Sequence, residues 1–186
     1  MNEKCGVGGK SLCYIDTPIG KIGIAEDGKG ISDVFFRHEG PRGDMTMQDT
    51  PLLQKAAGLL TEYFNGKLQS FDLPLSLHGT AFQLSVWEAL QTIPYGGTRS
   101  YKQIAEQCGK PKACRAVGMA NNRNPISIII PCHRVIGSDG ALVGYGGGLP
   151  IKEYLLVMER RHVEDNALHL DEEGASTMED VDQSTW

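Results

Sequence analysis

The chain has 186 residues, 40% hydrophobic and 22% charged, which is the composition of a globular protein of one domain or two small ones, able to form a core without disulfides. No stretch approaches the length of a membrane span, and the N-terminal MNEKCGVGGK lacks the apolar run of a signal peptide, so an intracellular protein, cytoplasmic or nuclear, is expected. The net charge of -5 is uneven: residues 163–186 hold eight acids and no Lys or Arg, leaving 18 basic against 15 acidic side chains in the rest.

The first third reads as β-rich. LCYIDT, KIGIAE and ISDVFF are short runs of strand formers separated by Pro18–Gly20 and by the hairpin-type loop Asp27–Gly30, and together they predict a three-stranded antiparallel sheet. Asp49-Thr50-Pro51 is a helix start. Leu52, Leu53, Ala56, Leu59, Leu60, Tyr63 and Phe64 keep helical spacing until Asn65-Gly66 stops the run. Residues 1–79 therefore make a small α/β domain ending in the connector LPLSLH.

The character changes at Thr80, which can cap a helix with Phe82, Val86, Trp87 and Leu90 on one face. Ser100 caps a second helix, YKQIAEQC, closed by Gly109, and KACRAVGMAN is a third. Two short helices joined by a Gly-containing turn are a helix-turn-helix signature, and the second carries Lys112 and Arg115. Residues 81–150 hold seven basic residues against three acidic ones, which permits nucleic-acid contact. The glycine-rich loop GSDGALVGYGGG allows close backbone approach to a ligand, and LPIKEYLLVMERR is the last helix. Residues 80–162 form this mostly helical second domain. The acidic segment 163–186 has little to bury and is expected to be disordered.

IIIPCHRVI, Ile128 to Ile136, is the chemically unusual stretch. A β-branched run is halted by Pro131, and a thiol, an imidazole and a guanidinium follow. A lone cysteine in an apolar segment is ordinarily a small buried hydrophobe, and a histidine beside it a satisfied structural group. Nucleophilic chemistry needs a thiolate, hence a base or a cation nearby. Neighbours in an extended segment point to opposite sides, so Cys132 and His133 need a bend, which Pro131 supplies, or a bridging water. Glu153 or Glu159 of the last helix can orient the imidazole. The five cysteines (Cys5, Cys13, Cys108, Cys114, Cys132) form no C-x-x-C pair, so reduced thiols are expected.

SYKQIA, KACRAVGMAN, RNPI, PCHRV and GYGGG occur in an order and spacing that closely resembles the O6-alkylguanine-DNA alkyltransferases, also called methylated-DNA–protein-cysteine methyltransferases. The resemblance runs from about Phe82 to Glu159 and, more weakly, back to about Leu12. It implies an α+β protein: a ribonuclease H-like N-terminal domain and a winged helix-turn-helix-like C-terminal one. It implies a monomer that repairs double-stranded alkylated DNA through the minor groove, moving the alkyl group of O6-alkylguanine irreversibly to Cys132 after base flipping, with O4-alkylthymine left open. His133 would be the base acting through a water and Glu159 its orienting carboxylate. The carbonyls of Cys132 and Val135 would bind the guanine amino group. Tyr101 would sit near the extruded nucleotide, and Asn124 would brace the turn into the Cys132 strand. Arg115 would fill the gap in the duplex, with Lys112, Ala116, Gly118 and Asn122 along the same DNA-facing helix. Tyr145, Gly146 and Gly147 would wall the pocket. The resemblance implies no cofactor. Of the zinc ligands found in some members, Cys5 and His78 match, while Asp27 and the Ser32 region supply no others, so no structural zinc is expected. Two other classes share parts of the pattern. Alkyltransferase-like binding modules lack the acceptor cysteine, and a Cys–His thiol hydrolase needs an oxyanion hole that is not evident here.

Overall fold

The computed structural model describes residues 9–41 and 43–175. The three strand-forming runs are β1 (Lys10–Thr17), β2 (Gly20–Glu26) and β3 (Ile31–Phe36), paired antiparallel in sequence order. A two-residue turn joins β1 to β2, with Gly20 at φ 98. Between β2 and β3, the Asp27 carboxylate accepts from the amides of Lys29 and Gly30 at 3.0 and 3.3 Å, closing an Asx-type turn. The sheet has a fourth strand that sequence reasoning missed. β4 (Met45–Met47) adds parallel to β1, in the order β3-β2-β1-β4. Three residues are too few for a periodic signal; only the open edge of β1 selects them.

α1 (Pro51–Phe64) starts at Thr50, whose hydroxyl accepts from the Leu53 amide, and lays Leu53, Ala56, Leu60 and Tyr63 on the sheet. Burying each leucine contributes about 1.5–3 kcal/mol. The outer edge of β3 is not left open. Val34 donates to the Pro125 carbonyl at 2.9 Å and accepts from Ser127 N–H at 3.0 Å, while Ile31 pairs with Pro74 and Ser76 at 2.8 Å. The N-terminal sheet thus holds the segment leading to Cys132, and one hydrophobic core runs continuously through both halves of the chain.

The second half contains α2 (Ala81–Gln91), β5 (Arg99–Ser100), α3 (Tyr101–Gln107), α4 (Cys114–Asn122), a 3-10 turn (Cys132–Arg134), β6 (Val135–Ile136) and α5 (Leu149–Ala175). Thr80 with Gln83, and Ser100 with Gln103, form reciprocal capping boxes at α2 and α3. β5 and β6 pair in parallel beside the helix pair. Three expectations are corrected. α4 begins at Cys114, so Lys112 lies in the preceding turn. The Ile126–Ile130 run is buried but is not a strand. The segment from Val163, expected to be disordered, continues α5 as a helix to Ala175. EDNALHLDEE is rich in helix formers, and an existing helix adds residues without a new nucleus. Residues 176–186 of the expected tail lie outside the described residues. Among the described residues, no helix is long and apolar enough to cross a membrane, and no cluster of His, Cys, Asp and Glu could hold a metal ion. Cys5 is not among those residues.

Candidate active site and nucleic-acid interface

Asn124 organises the approach to Cys132. Its side-chain oxygen accepts from the Ile126 amide at 3.0 Å, and its amide nitrogen donates to the Ile130 carbonyl at 2.8 Å. A tight buried turn results, in which Ile128 has φ 72. A β-branched residue there is strained by about 1–3 kcal/mol, and the surrounding bonds hold it in place. Pro131 then turns the chain into the 3-10 turn. Cys132 is buried at 3% exposure. Burial raises its thiol pKa, while Asn124 and the charge of Lys152 oppose that shift.

The turn sends His133 and Arg134 to one buried carboxylate. Glu159 accepts from His133 Nε2 at 2.8 Å, from Arg134 Nε and Nη2 at 2.9 Å each, from Tyr63 Oη at 2.6 Å and from Gly96 N–H at 3.0 Å. Despite its burial, these donors and the Arg134 charge hold its carboxyl well below the usual range, so it is ionised. Burial lowers the His133 pKa, so the imidazole is neutral at physiological pH. An ionised carboxylate only accepts, so His133 must donate through Nε2–H. That makes Nδ1 the basic nitrogen, and it is buried with no hydrogen-bond partner. Of the two carboxylates left open by sequence, Glu153 is exposed and Glu159 is the partner.

Sequence reasoning missed three members of this site. Lys152 is fully buried on α5. Its ammonium donates to the carbonyls of Val135 at 2.6 Å and Val143 at 3.0 Å, and burial brings its pKa down to about 8. Lys152, Leu155 and Glu159 share the inward face at helical spacing, which was the available signal. Asn121 donates to the Cys132 carbonyl at 3.1 Å, and Tyr63 reaches Glu159 from α1; nothing in their local sequence marks either. The carbonyls of Cys132 and Val135 were expected to bind a guanine amino group; the Cys132 carbonyl already accepts from the Asn121 side-chain amide and from the Val135 N–H, and the Val135 carbonyl accepts from Lys152.

The glycine loop follows β6. Tyr145 is half-buried, with its hydroxyl out of water and unpartnered, and packs edge-on against Phe36 at 5.8 Å. Burial and the neighbouring thiol hold its pKa well above the usual value. Gly147 lies under the Phe36 ring, which is 2.6 Å from where a Cβ would stand. Tyr101 is half-buried at the start of α3, and its hydroxyl donates to the Val143 carbonyl at 3.0 Å. Tyr101, Arg115, Gly118, Asn122, Val143 and Gly144 help line a cavity of about 530 Å³. On α4, Val117, Ala120 and Asn121 face inward. Arg115, Ala116, Met119 and Asn122 face outward, with Lys112 exposed in the turn ahead. Met119, 58% exposed, is a further apolar group on that face that sequence reasoning did not select.

A two-domain α+β fold thus sets a buried thiol behind α4, the second helix of the pair α3 and α4, whose outer face is exposed and basic. Comparison with known proteins makes this specific. Residues 12–77 match the ribonuclease-like domain of 6-O-methylguanine DNA methyltransferase, and residues 81–161 match its DNA-binding domain. A methylated-DNA–protein-cysteine methyltransferase of Methanosarcina barkeri is 53% identical over 152 residues, covering 80% of this chain and 96% of that protein. One of Mycolicibacterium paratuberculosis is 49% identical, covering 80% and 91%. The crystal structure of Mycobacterium tuberculosis OGT in complex with DNA superposes with a TM-score of 0.78 at 47% identity, covering 82% of this chain and 94% of that one. The chain belongs to the methylated-DNA–protein-cysteine methyltransferase family.

Proposed function

We propose that Cys132 is the residue that receives the alkyl group in this family's reaction, taking it from O6-alkylguanine in duplex DNA. The observation that carries the reading is the buried His133–Glu159 pair, whose histidine is the residue that follows Cys132. Glu159 fixes His133 as the Nε2–H tautomer, leaving a buried, unpartnered Nδ1 as base on the residue next to Cys132. Through a water, Nδ1 takes the thiol proton. The thiolate attacks the alkyl carbon, an S–C bond forms as the C–O6 bond breaks, and the departing guanine receives the proton. The electrophilic carbon is part of the lesion, so no cofactor is required. The thioether has no easy leaving route, so each molecule acts once.

In the paired duplex the O6 group lies on the major-groove edge of the base, where a buried thiol cannot reach it in line. Extruding the nucleotide costs a few kcal/mol, least for a damaged and poorly paired base. Arg115 is exposed on α4 at the mouth of the cavity and fills the vacated space. Ala116 and Gly118 keep the helix slim enough for the minor groove, and Lys112 and Asn122 contact the strands beside it. Tyr101 borders the extruded nucleotide. Tyr145, Gly146, Gly147 and the carbonyls of Cys132 and Val135 enclose the guanine. The protein acts as a monomer.

The test is incubation with duplex DNA containing O6-methylguanine, followed by peptide mass analysis. One added methyl mass on Cys132, at one equivalent per protein, is expected. An unmodified Cys132 with restored guanine, or repeated turnover, would refute the assignment.

A further inference from the structure

Among the described residues, three buried side-chain atoms have no hydrogen-bond partner: Asn121 Oδ1, His133 Nδ1 and Tyr145 Oη. All three belong to the surroundings of Cys132. His133 follows it in the chain, the thiol helps raise the Tyr145 pKa, and Asn121 Nδ2 donates to the Cys132 carbonyl at 3.1 Å. Buried polar groups are otherwise almost always bonded, so a cluster of bare ones marks a place built for a polar ligand. His133 Nδ1 already has the thiol proton to take. The other two are complementary: the protonated Tyr145 hydroxyl can donate, and Asn121 Oδ1 can only accept. Asn121 is 5% exposed on the inner side of α4. Its own bond fixes its orientation, because a flipped amide would set Oδ1 against the Cys132 carbonyl oxygen, acceptor against acceptor. Burial raises the Tyr101 pKa and the Asn121 side chain opposes that rise, so the amide also neighbours Tyr101, which lines the 530 Å³ cavity.

We propose that Asn121 is a specificity-determining residue of the acceptor pocket: its Oδ1 accepts from the 2-amino group of the extruded guanine and selects guanine over bases that lack this donor. The proposal rests on the reading of Cys132 as the alkyl acceptor and adds a base criterion to it. The ring of O6-alkylguanine presents acceptors at N1, N3 and N7 and a single donor group, the 2-amino group. The Cys132 carbonyl, expected to take that group, is already bonded by Asn121 Nδ2 and by the Val135 N–H. The bare acceptor on the side chain that occupies this carbonyl is Asn121 Oδ1. O4-alkylthymine has no ring donor and leaves Oδ1 unbonded, and a site whose buried polar atom stays unpaired rejects the base that leaves it so.

The test uses the full-length protein and two free bases, O6-benzylguanine and O6-benzylhypoxanthine, which differ only in the 2-amino group. With each, an S–C bond to the benzyl carbon forms as the C–O6 bond breaks, and the thiol proton goes to the released base. Benzyl gain at Cys132 is timed by peptide mass analysis. The parent protein should react faster with the guanine base. In Asn121→Leu, which fills nearly the same space without an acceptor, the guanine-to-hypoxanthine rate ratio should fall about tenfold, the worth of one buried hydrogen bond. Asn121→Asp keeps an oxygen at this point and should keep the ratio, whatever its absolute rate. In duplex DNA, O6-methylguanine against O6-methylhypoxanthine should follow the same order. Equal rates on the two bases in the parent, the parent ratio retained in Asn121→Leu, or the same loss in Asn121→Leu and Asn121→Asp would each overturn the proposal while leaving Cys132 as the acceptor. No benzyl group on Cys132 from either base would refute the acceptor reading itself, and the proposal with it.

Discussion

Around Cys132, His133, Arg134, Lys152 and Glu159 are all out of water and hydrogen-bonded to one another or to backbone carbonyls. On the outward face of α4, in the turn before it and at the residue that ends it, Arg115, Lys112 and Arg123 are in water and make no ion pair among the described residues. The two regions carry charge for different reasons. Charges in the first set each other's protonation, because burial makes every unpaired charge expensive. Those in the second are free to meet a phosphate or an orphan base. A change in the first region should therefore disturb folding and chemistry together, and a change in the second should disturb only steps that involve DNA.

The sharpest break is Cys132→Ala. Alkyl transfer from labelled O6-methylguanine DNA should fall to zero, while DNA binding in a gel-shift assay stays near the parent value. Label on the Ala protein would remove Cys132 from the mechanism.

Glu159→Gln should show the cost of the buried network. It leaves the Arg134 charge without its counter-ion in the interior, a loss of about 3–5 kcal/mol. At roughly 2–4 °C per kcal/mol for a chain of this size, the melting temperature should drop by about 10 °C. Transfer should slow as well, because the amide no longer enforces the Nε2–H tautomer. The parent protein should also lose stability in acid. The His133 pKa is lowered in the fold, so the unfolded chain takes up more protons as pH falls below about 6.5. The Glu159 pKa is depressed too, so its contribution is full above the unfolded carboxyl pKa of about 4.3 and drains away below it. Melting curves from pH 8 to pH 4 should fall along this course. A flat profile would contradict a neutral His133 beside an ionised Glu159.

Arg115→Ala should divide the two regions cleanly. Repair in duplex DNA should slow about 10- to 100-fold, the equivalent of losing 1–3 kcal/mol from base extrusion. Transfer from the free base O6-benzylguanine should be almost unaffected. Equal losses on both substrates would mean that Arg115 does not fill the duplex.

The smallest effect belongs to the C-terminus. Deleting residues 168–186 removes six acids and no Lys or Arg, taking the net charge from -5 to +1. Affinity for DNA should rise a few-fold at low salt, and the gain should fade as salt rises, because the term is a screened Coulomb repulsion. Binding titrations across a salt series check this, and alkyl transfer should be unchanged.

The strand runs, the capped helices and the PCHRV turn were legible because each is encoded locally, by alternation, by Thr80 and Ser100 at helix starts, and by Pro131 before a polar triplet. Arg115 was legible for the same reason: an exposed basic residue on a short helix needs no partner to be recognised. Other features depended on distant chain. β4 exists because β1 offered an edge, and the Ile126–Ile130 run became a turn because Asn124 and the edge of β3 bond its backbone. Lys152, Tyr63 and Asn121 joined the site because α5, α1 and α4 pack around one turn. Residue pattern alone left Glu159 and Glu153 open and the family resemblance named Glu159; the tertiary structure turns Glu159 inward and leaves Glu153 exposed. The sequence by itself determined which atoms can react, since a thiol and an imidazole are fixed by residue type. Their protonation states were decided only by tertiary structure, because a pKa depends on burial and on charges brought close by folding.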